Sequence, residues 1–116
     1  MIRRKDERTV DIKESMFGGA GQARLVRIRE NAEELYGKGR VFSHLILEPG
    51  CEVGYHVHNG DGEVYYILKG QGEYNDNGQP VTVYPGDVTF TDAGEGHSLL
   101  NKGPETLEAI ALVLYK

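Results

Sequence analysis

Apolar residues along this chain come in short runs separated by polar, glycine-rich clusters. Val, Ile, Leu, Tyr, Phe and Thr gather near 8–12, 23–29, 41–48, 55–58, 63–69, 72–75, 80–83, 88–91, 96–100 and 106–115. Between them lie turn-forming stretches such as FGGAG (17–21), NGDG (59–62), NDNGQP (75–80), YPGD (84–87) and NKGPE (101–105). Short strands broken by frequent turns are the signature of an all-β sandwich or barrel. NDNG is the strongest hairpin signal, because Asn, Asp and Gly tolerate the positive φ of tight hairpin turns. One segment departs from the pattern. In ENAEELYG, Asn31 can cap one or two helical turns, Glu34 can reach back to the cap, and Gly37 can end them.

Composition agrees with this reading. The chain has 116 residues with 39% hydrophobic residues and 16 glycines, which suits many strands and tight turns better than a helical bundle. No linker or repeat divides it, so a single domain over 1–116 is expected, with an N-terminal arm or strand at 1–22 and a barrel core over about 40–115. The net charge of −5 argues against a nucleic-acid partner. No apolar run reaches the ~20 residues of a membrane span, and no signal peptide opens the chain. The single cysteine, Cys51, excludes an internal disulfide and reads as an incidental thiol. A cytoplasmic setting is the expectation.

The chemistry concentrates in GYHVHNGDGEVYYILKG (54–70). His56 and His58 are two apart on a strand and share a face, with Val57 turned the other way to pack. The glycine-rich residues 59–62 can fold the chain back as a hairpin that brings Glu63 beside them. His97, in GHSLLN, is a fourth candidate if its strand packs nearby. Two or three imidazoles with a carboxylate suit a divalent transition metal. HxH alone is weak evidence, since alternating histidines also occur on wet strand faces.

These residues together resemble the cupin superfamily. Its first motif is matched at every spacing by Gly50, His56, His58, Glu63 and Gly70, and its second by Gly86, Gly94, His97 and Asn101. Asp92 stands where the family usually has proline. The resemblance implies a small jelly-roll β-barrel of two antiparallel sheets. It also implies one divalent ion (Mn, Fe, Ni, Co or Zn) held by His56, His58, Glu63 and His97, with open positions for a small-molecule ligand. Members usually dimerise, so a homodimer is expected, with the strand near Thr9–Ile12 pairing to a neighbour's sheet.

The implied function is a metal-dependent enzyme acting on a small organic acid or carbonyl compound, decarboxylase- or isomerase-like. The alternatives are a dioxygenase of the three-His, one-Glu type and a non-catalytic small-molecule or sugar binder. Val53 stands where the oxalate decarboxylase group usually carries an arginine, which speaks against oxalate chemistry. Tyr65 and Phe90 are candidates for the wall of the pocket, and Tyr55 for flanking the site. Asn101 reads either as a partner of His97 or a ligand, or as a turn residue. His44, on the face of Phe42 and Ile46, reads as an inward general-base candidate.

Overall fold

The computed structural model describes residues 1–116 and contains ten strands. They are β1 (Val10–Glu14), β2 (Gln22–Arg27), β3 (Gly39–Leu47), β4 (Glu52–Val57), β5 (Asp61–Lys69), β6 (Gly72–Asp76), β7 (Gln79–Val83), β8 (Val88–Thr91), β9 (Gly96–Leu100) and β10 (Leu107–Tyr115). Every strand expected from the apolar runs is present. The ENAEELYG segment forms only a single 3-10 turn, Glu33–Leu35. Asn31 Oδ1 does accept the Glu34 amide at 3.1 Å, but the Glu34 carboxylate takes the Glu30 amide at 2.9 Å and binds Arg3, so no capping box extends the helix.

The strands form two antiparallel sheets. One has six strands in the order β1-β2-β3-β10-β5-β8, and the other has four in the order β4-β9-β6-β7. The chain turns back through NDNG as a hairpin, with Asn77 and Gly78 both at positive φ and β6 paired to β7. The NGDG turn behaves differently. β4 and β5 lie in opposite sheets and share no ladder, so residues 58–60 cross the barrel corner instead of closing a hairpin. Glu63 therefore reaches the histidines across the barrel.

Burial of apolar side chains between the sheets supplies the main favourable term. Leu45, Leu47, Tyr65, Ile67, Ala109 and Ala111 from the larger sheet meet Val53, Tyr74, Val83 and Leu99 from the smaller one. At the end of the barrel that carries the histidines the interior turns polar: Ser43, His58, Asp61, Glu63, Thr89, Thr91 and His97 are all buried. β1 pairs with β2 of its own chain from Val10↔Val26 to Glu14↔Gln22. β1 is the edge strand of the larger sheet, so its other edge carries no ladder within the chain.

Candidate metal centre

The site is built from three strands and one barrel corner. β4 carries His56, His58 follows at its end, β9 carries His97, and β5 carries Glu63. His56 and His97 are direct cross-strand partners. The β4 ladder is irregular between Val53 and His56, where the register shifts across Gly54 and Tyr55. Such a bulge re-aims the side chains that follow it.

Each histidine is held through its ring Nδ1, leaving Nε2 aimed inward. His56 Nδ1 donates to the Gly54 carbonyl at 2.8 Å, and His58 Nδ1 donates to Asp61 Oδ1 at 2.7 Å. His97 Nδ1 lies 2.9 Å from the Tyr74 hydroxyl, which also lies 2.6 Å from Thr91 Oγ1. A carbonyl and a carboxylate only accept, so His56 and His58 carry a proton on Nδ1, and Nε2 is the nitrogen left to meet a metal. Partners of this kind fix tautomer and orientation around metals.

The inward atoms crowd together. His97 Nε2 is 3.1 Å from His58 Nε2, 3.2 Å from His56 Nε2 and 3.0 Å from Glu63 Oε1, and His58 Nε2 is 3.3 Å from the same oxygen. Donors about 2.1 Å from one ion, at tetrahedral or octahedral angles, stand about 3.0–3.4 Å apart. The donor set therefore fits a single transition-metal ion: His56, His58, Glu63 and His97 lie within 4.8 Å of one another and could hold one. Lone pairs and a carboxylate facing each other in a buried space repel unless a cation or protons lie among them.

Without an ion the same groups pair with one another. Burial pushes the Glu63 carboxyl up, but the hydrogen bonds to His58 and His97 outweigh this and hold it below its ordinary value. The hydrogen bond to Glu63, aided by Asp61, raises the pKa of His58 against the cost of burial. Burial lowers that of His56. Asp61 pays for its own burial through hydrogen bonds from Arg40 and His58, and its carboxyl sits below the usual range.

Of the three aromatic residues expected at the pocket, one lines it. Tyr65 does line the site, buried and stacked on His97 with ring centroids 5.1 Å apart. Phe90 does not: it is 58% exposed, while Thr89 and Thr91 take the inward positions of β8. Tyr55 also faces out, 46% exposed, with its ring over Gly96. Val57 faces away from the histidines as expected, but at 49% exposed it packs little.

His44 projects from the outer face of β3, because Ser43 and Leu45 take the inner one, and its Nε2 pairs with Glu108 Oε1 at 2.7 Å. That removes it from the site. Asn101 is buried and binds the Leu47 and Glu105 carbonyls and the Gly103 amide, so it latches the 101–105 loop and makes no bond to His97.

Other residues stand where the motif gave no signal. A 3-10 turn, Met16–Gly18, lies across β4 and stacks Phe17 on His56. A Cβ at Gly54 would meet the Phe17 carbonyl at 2.3 Å, and one at Gly19 would meet the Glu52 carbonyl at 2.5 Å, so two glycines allow this close crossing. Arg40 and Asp61 complete a chain of hydrogen bonds to His58. The 17–21 glycines read as a turn, and nothing in them foretells the stacking.

A cavity of about 60 Å³ adjoins the donors, walled by Met16, Phe17, Val53, Tyr65, Ala111 and Val113 among others. It borders a groove of about 830 Å³ that runs along the inner face of β1, β2 and β3. Comparison with known proteins completes this picture. The family model for the cupin domain matches residues 43–114. The chain belongs to the cupin family. This cupin is 40% identical over 114 residues to an oxalate-binding protein of Thermotoga maritima, covering 98% of this chain and 93% of that protein. It superposes on the crystal structure of a predicted oxalate decarboxylase from Thermotoga maritima with a TM-score of 0.93, at 40% identity and complete coverage of both chains. A protein with a double-stranded β-helix domain from Klebsiella pneumoniae is 28% identical with a TM-score of 0.61, covering 65% of this chain and 62% of that one.

Proposed function

We propose that this cupin binds a small organic acid at a divalent metal held by His56, His58, Glu63 and His97, with oxalate the first acid to test. The observation that carries the reading is the convergence of three Nε2 atoms and one carboxylate oxygen at 3.0–3.3 Å. Oxalate is singled out because a relative at 40% identity is named an oxalate-binding protein. A bound divalent ion supplies Lewis acidity toward a carboxylate oxygen.

The chain's own residues set what enters. A cavity of about 60 Å³ suits an acid of a few heavy atoms and is far below the ~300 Å³ at which pockets for larger organic ligands begin. Gly54, Asp61 and Tyr74 hold the three imidazoles in place, and Phe17 and Tyr65 keep water from two of their faces.

Binding is favoured over turnover. Apart from the donors themselves, the polar groups on the cavity wall are the Arg40 guanidinium and the Tyr65 hydroxyl. Arginine stays protonated, and burial raises the Tyr65 pKa well above its ordinary value. Neither serves as a general acid or base near neutral pH. The lyase reading drawn from the sequence thus finds no free proton-transfer group.

Calorimetry of Mn(II)-loaded protein with oxalate, followed by assay of the mixture for formate and carbon dioxide, tests this. Saturable binding that requires the metal, without product above the metal-free control, is the expected result. Absence of binding overturns the reading, and sustained formate release overturns its non-catalytic part.

A further inference from the structure

We propose that Arg40 is the second anchor of the bound acid and makes the site selective for small dicarboxylates over monocarboxylates. The proposal rests on the acid-binding reading given above and assigns that function's selectivity to a residue outside both cupin motifs.

Arg40 is the one cationic side chain on the wall of the cavity beside the donors, and it also lines the larger groove outside. It therefore stands at the passage between them. Three arginines border that groove, and two are already committed. Arg27 spends Nε and both Nη atoms on Asp11 and Glu30. Arg29 directs Nε and Nη2 to the Glu34 carbonyl. Arg40 bonds only through Nε, to Asp61 Oδ2 at 2.9 Å, and neither of its Nη atoms has a protein partner.

Asp61 fixes this arginine relative to the metal donors, because its other oxygen holds His58 at 2.7 Å. The guanidinium is thus two hydrogen bonds from a donor ring, with both Nη groups free. Free N–H groups of a guanidinium form a planar fork that matches a carboxylate. Val53, which also lines the cavity, is apolar and 2% exposed, so it offers an acid no such partner. One carboxylate of a short diacid would meet the metal and the other would meet Arg40. A monocarboxylate would leave Arg40 unused.

The test is titration of Mn(II)-loaded wild type, Arg40→Gln and Arg40→Lys with oxalate and with acetate, each affinity referred to the metal-loaded fraction counted by elemental analysis. In Arg40→Gln the oxalate affinity falls about ten-fold or more while acetate changes less than about two-fold. Arg40→Lys, which keeps the charge without the fork, falls between. An unchanged ratio of oxalate to acetate affinity in Arg40→Gln overturns the assignment of Arg40 and leaves the acid-binding reading standing. Failure of the wild type to bind either anion overturns that reading instead.

Discussion

Phe17 lies flat on the His56 ring, with centroids 3.8 Å apart and planes 13° apart. His56 is the only one of the four donors that is not fully buried. A residue far from either cupin motif thus covers the exposed face of the least enclosed donor. An aromatic pair contributes about 0.5–1.5 kcal/mol. Phe17→Ala should therefore weaken metal binding about two- to ten-fold, measured by competition with a chromophoric chelator. Unchanged affinity would show that the stacking does not hold His56.

Asp61 should matter more. It fixes the His58 tautomer at 2.7 Å and is itself buried. Asp61→Asn removes the charge that orients the ring, and metal affinity should fall about 10–100-fold in the same competition assay. A loss below about three-fold would contradict the role given to this hydrogen bond.

Asn101 supplies a contrast between structure and site. It makes three hydrogen bonds, two donated to carbonyls and one accepted from an amide. Asn101→Ala should cost about 2–3 kcal/mol in urea unfolding, because buried polar groups lose their partners. Metal content per folded chain should stay the same. Loss of metal at unchanged stability would return Asn101 to the site.

The apolar runs located every strand, and motif spacing located four donors, because both depend on local periodicity. Tyr65 stands where expected, and Phe90 and His44 do not. In β8 and β3 the inward positions near the site belong to Thr89, Thr91 and Ser43, so the rule of apolar side chains inside inverts there. Tyr55 shares the outward face of Val57, opposite His56, so alternation along β4 itself keeps it out of the site. Phe17 and Arg40 reach the site through tertiary contacts that local pattern does not encode.

Arg3 and Glu34 tie the N-terminal arm to the 3-10 turn through two 2.9 Å hydrogen bonds. These bonds, with one from the Glu30 amide, lower the Glu34 pKa from 4.5 to about 2. A depressed carboxyl pKa stabilises the folded state above the unfolded value, and that stability is lost as pH falls toward the folded value. The stability difference between wild type and Arg3→Gln should be full at pH 5 and above and shrink between about 4.5 and 2. Thermal unfolding across that range checks it, and a difference independent of pH would contradict the pairing.

Metal content tests the central claim most directly. Protein stripped of metal and reloaded with Mn(II), Fe(II), Co(II), Ni(II) or Zn(II) in turn is desalted and analysed for its elements. At least one of these ions should remain at about one per wild-type chain, and the folded His58→Ala, His97→Ala double variant should retain close to none. A wild type that holds no ion, or a double variant that holds as much as the wild type, would contradict the account.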